Sequence, residues 1–298
     1  MSDSTLLDLA KLNSGDRAVH FVDIVPDAAA EVLSLPVMFI DGTSFKTARR
    51  TELADASFRA ANESQTGDRD EFEQILTECA LISPADKCDK VIADGYAGGR
   101  EAFWELKNRG IMRAAQITVG TGLWYGTGAA KDFVGLRSLF PKSNAQVIDA
   151  GGGTANTGSS VYGLKLGFDA VHLVICKNTP FKASRVIKQQ FNAPAGGVYA
   201  GYGFGCSIWI GLAVENPKAV ARICNLTAEP GKGLTDGLIA QMLAKCPNGF
   251  TPDALYMSRR SLMQLRQSRS ATTNGPEEWS NGVRIIEANS ITSTEAIE

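Results

Sequence analysis

A glycine-rich turn at residues 149–154 is the part of the sequence best suited to chemistry. It reads Asp-Ala-Gly-Gly-Gly-Thr and follows the apolar pair Val147 and Ile148, which predicts a strand ahead of it. Glycine amides that follow a strand can bind the oxygens of a phosphate group. An ATPase of this kind needs a matching first phosphate loop, and residues 41–44 (Asp-Gly-Thr-Ser) depart too far from that pattern. We therefore predict that this turn only connects two elements of the fold. The alternative is that it binds a nucleotide and that the protein is an enzyme.

Two other glycine strings, at residues 120–126 and 231–233, match nucleotide-binding motifs only in part. A dinucleotide site would place the first string between a buried strand and a helix, but the residues before it predict a helix. The second string lacks the upstream glycine and the following Ser or Thr of a phosphate loop. Both are predicted to be turns or helix ends, and no cofactor is expected.

Histidine and cysteine are sparse. The chain has His20, His172 and six cysteines, at positions 79, 88, 176, 206, 224 and 246. A zinc site needs three or four clustered nitrogen or sulfur ligands, and this spacing supplies no such cluster. Both histidines have apolar neighbours, which predicts core or edge side chains rather than partners of a nucleophilic serine. The sequence therefore predicts no catalytic residue and no metal site, and the cysteines read as buried thiols of a reducing compartment.

The composition is that of an ordinary globular chain. It has 298 residues, 30 Lys+Arg against 32 Asp+Glu, 44% hydrophobic and 21% charged residues. The length suggests two domains or one elaborate domain, and the near-neutral charge argues against a dedicated nucleic-acid reader. No apolar run approaches the ~18 residues of a membrane helix, and no secretory signal opens the chain. A basic cluster at 259–269 is expected to allow at most weak contact with a phosphate backbone.

The first part of the chain predicts two extended elements. Residues 1–35 contain a leucine pattern (Leu6, Leu7, Leu9) suited to a short amphipathic helix, but too few apolar residues for a domain. They are predicted to form an arm that lies on another surface. Residues 37–70 alternate charges of both signs with Thr, Ser and Phe, which is too polar for a core on either face. Because loops this long are usually functional, we predict a projecting hairpin that contacts neighbouring molecules.

The remainder predicts a mixed helical and β structure. Apolar residues at spacings of three and four predict a helix over about 99–118. From Val198 to Val214 every even position is apolar, and residues 162–170 repeat the alternation. An alternation that repeats every two residues predicts strands with one buried face. These strands are either very long or interrupted by bulges at the glycines. Residues 231–298 return to alternating helix and strand patterns.

Segments spread along the chain carry a resemblance to a known family. The relevant segments are 6–11, 42–47, 58–63, 123–126, 133–136, 160–167, 211–214, 221–223 and 254–260. In their order and spread the chain resembles the major capsid proteins of tailed bacteriophages, which have the Hong Kong 97 fold, and especially a short-tailed-phage branch.

The resemblance implies an α+β fold with six segments. They are an N-terminal arm (1–35), an extended β-hairpin loop (36–72), a peripheral domain with a spine helix (73–120), an axial-domain segment (121–158), long strands of the peripheral domain (159–230) and an axial domain (231–298). Because this order places the axial domain last, it implies a permuted topology.

The resemblance also implies a function without catalysis. The expected protein is a coat protein that assembles as pentamers and hexamers into an icosahedral shell around the double-stranded DNA of a tailed phage. Its expected partners are other copies, a separate scaffolding protein, a portal protein, a decoration protein and, non-specifically, packaged DNA. It is expected in the virion capsid, assembled in the bacterial host cytoplasm and without a membrane. Lys46 lies in the loop that cross-links some relatives, but no partner asparagine is identified, so cross-linking is not expected. A cellular shell-forming compartment protein remains the other alternative.

Overall fold

The computed structural model describes residues 29–54, 56, 58–61, 69–129, 131–178, 186–193, 196–269 and 279–298. Its helices are α1 (Ala29–Ser34), α2 (Lys90–Asp94), α3 (Arg100–Tyr125), α4 (Leu136–Leu139), α5 (Asp236–Lys245) and α6 (Arg259–Ser268). The first eight strands are β1 (Val37–Ile40), β2 (Ser44–Glu52), β3 (Glu71–Glu78), β4 (Ala80–Ile82), β5 (Ala85–Asp89), β6 (Val147–Asp149), β7 (Ser159–Leu164) and β8 (Val171–Cys176). The others are β9 (Ile187–Asn192), β10 (Val198–Gly205), β11 (Ile208–Val214), β12 (Val220–Leu226), β13 (Ala254–Met257), β14 (Trp279–Ser280) and β15 (Val283–Glu287). The leucine pattern of the predicted arm and His20 lie outside the described residues.

Helix α3 confirms the helix predicted over 99–118 and extends it to Tyr125. It begins after Gly99, whose φ of 87° is accessible to glycine at no steric cost. Its buried residues include Phe103, Ala115 and Leu123. The last two turns contain glycines and threonines, which are poor helix formers, so the sequence pattern alone ends too early. Packing of Leu123 and its neighbours in the core stabilises these turns.

A six-stranded sheet, ordered β14-β15-β13-β7-β12-β6, forms one half of the molecule. Its central strands β7, β12 and β13 are buried on both faces. In β7, Val161 packs with the residues of α5 and α6, whereas Tyr162 and Leu164 pack on the opposite side with Trp124 of α3. The Trp124 and Tyr162 rings stack with centroids 4.9 Å apart. This sheet is therefore a layer between two helices and the rest of the chain.

Two smaller sheets form the other half. One has the order β1-β8-β11-β4, and the other has the order β5-β10-β9. The second packs against the first turns of α3, where Tyr202 and Phe204 meet Phe103. Together with α3, these sheets connect the six-stranded sheet to the hairpin described below.

The alternation from 198 to 214 belongs to two strands, not to one long strand. β10 ends at Gly205 and β11 begins at Ile208, and the two strands belong to different sheets. Tyr202 and Phe204 pack on α3, whereas Leu212 packs in the larger core. The prediction of strands was right, and of its two alternatives, very long or interrupted strands, the structure shows an interruption, which follows Gly205. Period two identifies a buried face, but not the sheet to which that face belongs.

The expected boundary at residue 230 also disagrees with the strand pairing. β7 pairs with β12 on one side and with β13 on the other, so segments 159–230 and 231–298 build one sheet together. The chain enters this sheet at β6 and β7, leaves it for β8 to β11, and returns at β12. Residues 231–298 therefore share a sheet with residues 159–164 and 220–226. Strand partners depend on contacts between distant residues, which the local pattern does not report.

Candidate assembly surfaces

Strands β2 and β3 form a hairpin whose strands pair only with each other among the described residues. The register runs from Ser44 opposite Glu78 to Glu52 opposite Glu71. At about 3.4 Å per residue, the paired part is about 27 Å long. The predicted extended loop is thus present with shifted bounds, because residues 37–40 belong to the four-stranded sheet as β1 and the return strand continues to Glu78.

The root of the hairpin is attached to its own body by a few specific contacts. The backbone N–H of Cys79 donates to the carbonyl of Thr43 at 2.9 Å, and the Thr47 hydroxyl donates to Glu215 Oε1 at 3.1 Å. Burial raises the pKa of Glu215, although the Thr47 hydrogen bond opposes the shift. These contacts involve only the first residues of each strand, so the distal part projects beyond them.

His172 lies on β8 beneath this root and is fully buried. The rings of Phe45 and Phe168 meet it edge-on, with centroids 6.1 and 5.7 Å away. Burial lowers the pKa of His172, which favours the neutral imidazole. The structure confirms the predicted core histidine, which packs the hairpin root against the sheet.

The mixed charges of the hairpin pair across its two strands. Arg49 meets Glu73 at 2.8 Å, and Arg50 meets Asp70 at 3.1 Å. The Arg50 guanidinium also lies 5.4 Å from the centre of the Phe72 ring. Opposite charges facing each other stabilise a strand pair that has no core on either face. The alternation that predicted a projecting element is thus explained by cross-strand pairing.

The glycine turn at 149–154 is occupied by a carboxylate of the same chain. The N–H groups of Gly153 and Thr154 donate to Glu229 Oε1 at 3.3 and 2.7 Å, and the Thr154 hydroxyl donates to the same oxygen. Hydrogen bonds from Thr154 lower the pKa of Glu229, so the carboxylate is ionised. The amide of Gly152 is bonded to the Asn225 carbonyl at 3.1 Å. The donors that could bind phosphate are therefore used within the fold.

We expect no nucleotide to bind at this turn. Magnesium ATP should leave the melting temperature of the subunit unchanged, because Glu229 already fills the anion position. Glu229→Ala should lower the stability only slightly, because water can hydrate the exposed amides of Gly153 and Thr154. Calorimetric titration of both proteins checks this, and micromolar binding of ATP by the wild-type chain would restore the enzyme alternative.

The other motifs singled out in the sequence form parts of the fold. Residues 120–126 form the end of α3, and 231–233 form a turn in which the Lys232 amide donates to the Glu229 carbonyl at 3.1 Å. Within the basic cluster, the Arg260 guanidinium donates to three backbone carbonyls and Arg269 pairs with Asp236 at 2.9 Å. These two arginines hold parts of the fold together, which reduces the charge available to a phosphate backbone.

The cysteines are free thiols, and most are buried. Burial raises the pKa of Cys88 and of Cys224 to about 11, which keeps both protonated and unreactive. Within the described ranges, no three His, Cys, Asp or Glu side chains lie grouped as metal ligands would. None of the described helices is long and apolar enough to cross a membrane.

A buried ion cluster beneath the last residues was not anticipated from the sequence. Arg222 of β12 is 1% exposed, and its guanidinium donates to both side-chain oxygens of Glu298, at 2.8 and 3.1 Å. It also donates to the Ser160 hydroxyl at 3.0 Å, and that hydroxyl donates to Glu295 at 2.6 Å. Arg222 and Glu298 are 76 positions apart, so no spacing rule connects them. The cluster holds Glu295 and Glu298 against the six-stranded sheet.

The described residues thus combine a projecting hairpin, exposed on both faces beyond its root, with glycine turns that serve the fold. This is the organisation of a structural subunit that associates with other copies. A family model described as "Major capsid protein GP7" matches residues 39–292. The chain belongs to this family of major capsid proteins.

Solved structures show the same fold. The bacteriophage Epsilon15 structure is 17% identical, with a TM-score of 0.72 over 99% of this chain and 97% of that one. The capsid of an empty GTA particle is 11% identical, with a TM-score of 0.50 over 76% and 99%. The SrpI encapsulin complex of Synechococcus elongatus PCC 7942 is 9% identical, with a TM-score of 0.50 over 76% and 97%. No curated protein matched the sequence. The family match favours the phage shell over the compartment alternative.

Proposed function

We propose that copies of this subunit are held together in the shell by hairpin β2–β3 and by the residues before Ala29, both reaching over neighbouring copies. The observation that supports this most directly is the hairpin itself, whose paired part, including the root, is about 27 Å long at about 3.4 Å per residue. The hydrogen bonds that join it to its own body are at the root. An isolated two-stranded hairpin is marginally stable in water, so a surface on another subunit is needed to hold its distal part.

The strand pairing supports a revised assignment of the capsid domains. We assign the six-stranded sheet with α5 and α6 to the axial domain, which meets at the five-fold and six-fold centres. The two smaller sheets and α3 form the peripheral domain, with α3 as its spine helix. The extended loop is 44–78 and the arm is 1–28. This moves 159–164 and 220–230 from the peripheral domain, where the sequence interpretation placed them, to the axial domain.

The remaining partners follow from the family resemblance. We propose pentamers and hexamers as assembly units, a separate scaffolding protein during assembly, a portal protein and a decoration protein, with non-specific contact to packaged DNA. Assembly takes place in the bacterial host cytoplasm, and the subunit contributes no catalytic step. Individually modest contacts from arm and loop suffice because closed symmetry repeats each of them many times.

A truncated hairpin tests the proposal. Residues 48–74 are replaced by Asn-Gly, a sequence that favours a two-residue hairpin turn, which retains the Thr47–Glu215 contact at the root. The truncated subunit should melt within a few degrees of the wild type, because most of the removed residues that the structure describes are exposed. It should form no stable shells when expressed with its scaffold. Negative-stain electron microscopy and sedimentation measure shell formation, and normal shells from this variant would contradict the proposal.

A further inference from the structure

One strand edge is less protected than the other sheet edges that the structure describes. The edge strands β1, β4, β6 and β14 have only two to four residues. The edge strand β5 and both hairpin strands are longer, but each carries three or four charged residues. Strand β9 has six residues, and Lys188 is its only charged residue. Short length and charge usually protect an edge against pairing with another chain, and β9 has neither protection.

The backbone of β9 is regular and is paired on one side. All six residues pair with β10, from Ile187 opposite Gly203 to Asn192 opposite Val198, with no shift of register. Within the described ranges, no strand pairs with the other side of β9. Every second residue of such an edge turns its N–H and carbonyl groups away from the sheet. The edge therefore offers a row of hydrogen-bonding groups to a further strand.

Side chains of β9 lie over the neighbouring strand β10. A Cβ atom at Gly201 would come 2.9 Å from the Phe191 ring, and a Cβ atom at Gly203 would come 3.0 Å from the side-chain nitrogen of Gln189. The Phe191 ring also contacts the Tyr199 ring of β10, with centroids 5.8 Å apart. The glycines of β10 thus provide the space into which these side chains lean. Because Gln189 and Phe191 lean over their own sheet, they leave the backbone of the edge open to another strand.

The sequence of β9 is complementary to itself in one antiparallel register. When two identical strands pair about a two-fold axis, one residue lies opposite its own copy. With Gln189 at that position, Lys188 faces Gln190 of the second copy, and Ile187 faces Phe191 of the second copy. This register brings no like charges together, and it forms the apolar pair twice. With Lys188 at the axis, two ammonium groups would face each other, which is destabilising.

We infer that β9 of one copy pairs antiparallel with β9 of a second copy about a two-fold axis at Gln189. The contact joins two three-stranded sheets into one sheet of six strands. It adds a surface to the proposed assembly and does not depend on the hairpin or on the residues before Ala29. A pair of six-residue strands buries less than the ~800 Å² per partner of a standard interface, so the contact is weak between isolated subunits and gains strength by repetition in a shell.

A disulfide bond tests the self-paired position. Gln189→Cys places two thiols directly opposite each other, whereas Gln190→Cys places them about 7–8 Å apart on the diagonal. Both glutamines are exposed, so both variants should fold. Each variant is oxidised with glutathione as concentrated subunits and after assembly under reducing conditions, with the wild type as the background for the native free cysteines. We expect about 10-fold more disulfide-linked dimer from Gln189→Cys than from Gln190→Cys, measured on non-reducing gels and by mass spectrometry of the linked peptide.

Charge substitutions at the same position provide a second test. Gln189→Lys and Gln189→Glu each place like charges at the axis, so each variant alone should need about a 3-fold or higher concentration for assembly. A mixture of the two variants pairs opposite charges and should assemble within two-fold of the wild type. The control Gln241→Lys changes an exposed glutamine of α5, far from β9 in the chain, and should assemble as the wild type does. Light scattering measures the concentration at which assembly begins.

The outcomes distinguish this inference from the proposed function. Gln189→Cys should also form its dimer in the subunit whose hairpin is truncated, because β9 lies outside the hairpin. Normal shells from the truncated subunit would contradict the role of the hairpin and leave the pairing of β9 intact. Equal dimer yields from the two cysteine variants, or no recovery in the mixture of charged variants, would overturn the pairing of β9 and leave its edge to an extended segment of another protein.

Discussion

Arg222→Met should destabilise the folded subunit by about 3–5 kcal/mol, the range found when one partner of a buried ion pair is removed. The substitution removes two hydrogen bonds to Glu298, which keeps its ion pair with Arg137 at 2.8 Å. It also leaves Glu295, which is 4% exposed, without the guanidinium of Arg222 at 3.8 Å. Methionine fills a similar volume, so the expected loss comes from the lost charge pairing, chiefly at the buried Glu295, and not from a cavity.

Denaturant unfolding of the isolated subunit measures this effect. Arg284→Met serves as the control, because Arg284 is exposed on the same sheet and its replacement should change the stability by no more than about 0.5 kcal/mol. Equal stabilities of Arg222→Met and wild type would show that the cluster contributes nothing beyond packing.

The pH dependence of stability provides a second measurement of the same cluster. Burial alone would raise the pKa of Glu298, but hydrogen bonds from Arg222 and Arg137 hold it below its ordinary value. A carboxyl group with a lowered pKa in the folded state stabilises the fold above its unfolded pKa, about 4.3 for glutamate. This contribution is lost as the pH falls through the folded-state pKa. We expect the acid side of the stability curve to be shallower in Arg222→Met than in the wild type.

Gly126→Ala should cost about 3 kcal/mol or more, because the added methyl has no space. A Cβ atom at this position would overlap the carbonyl oxygen of Phe133 and lie 2.7 Å from that of Gly122. Both are backbone atoms, held by the hydrogen bond from the Gly135 amide to the Gly126 carbonyl at 2.9 Å. Relief would require moving the loop that places Phe133 in the main core.

Gly110→Ala is the matched control in the same helix. Gly110 is exposed in the middle of α3, and a Cβ atom there would meet nothing within 4 Å. Alanine should therefore stabilise the subunit by about 0.5–1 kcal/mol. Thermal and denaturant unfolding of both variants measure the difference, and a neutral Gly126→Ala would show that the loop after α3 adapts easily.

The sequence by itself determined the local elements of this protein. Alternating charges of both signs predicted the hairpin, the three-and-four spacing predicted α3, and the alternation at 198–214 predicted extended backbone with one buried face. These features depend on residues close together in the chain, since a helix turn or a strand face repeats every few positions. The apolar neighbours of His172 were sufficient to predict its burial for the same reason.

Only the tertiary structure decided how these elements combine. It placed β10 and β11 in separate sheets, joined β7 and β12 to β13, and filled the glycine turn with Glu229. It also brought Glu298 to Arg222 and placed β9 at the edge of its sheet. Each of these arrangements depends on residues tens of positions apart. Their proximity follows from packing of the whole chain, which no local periodicity encodes.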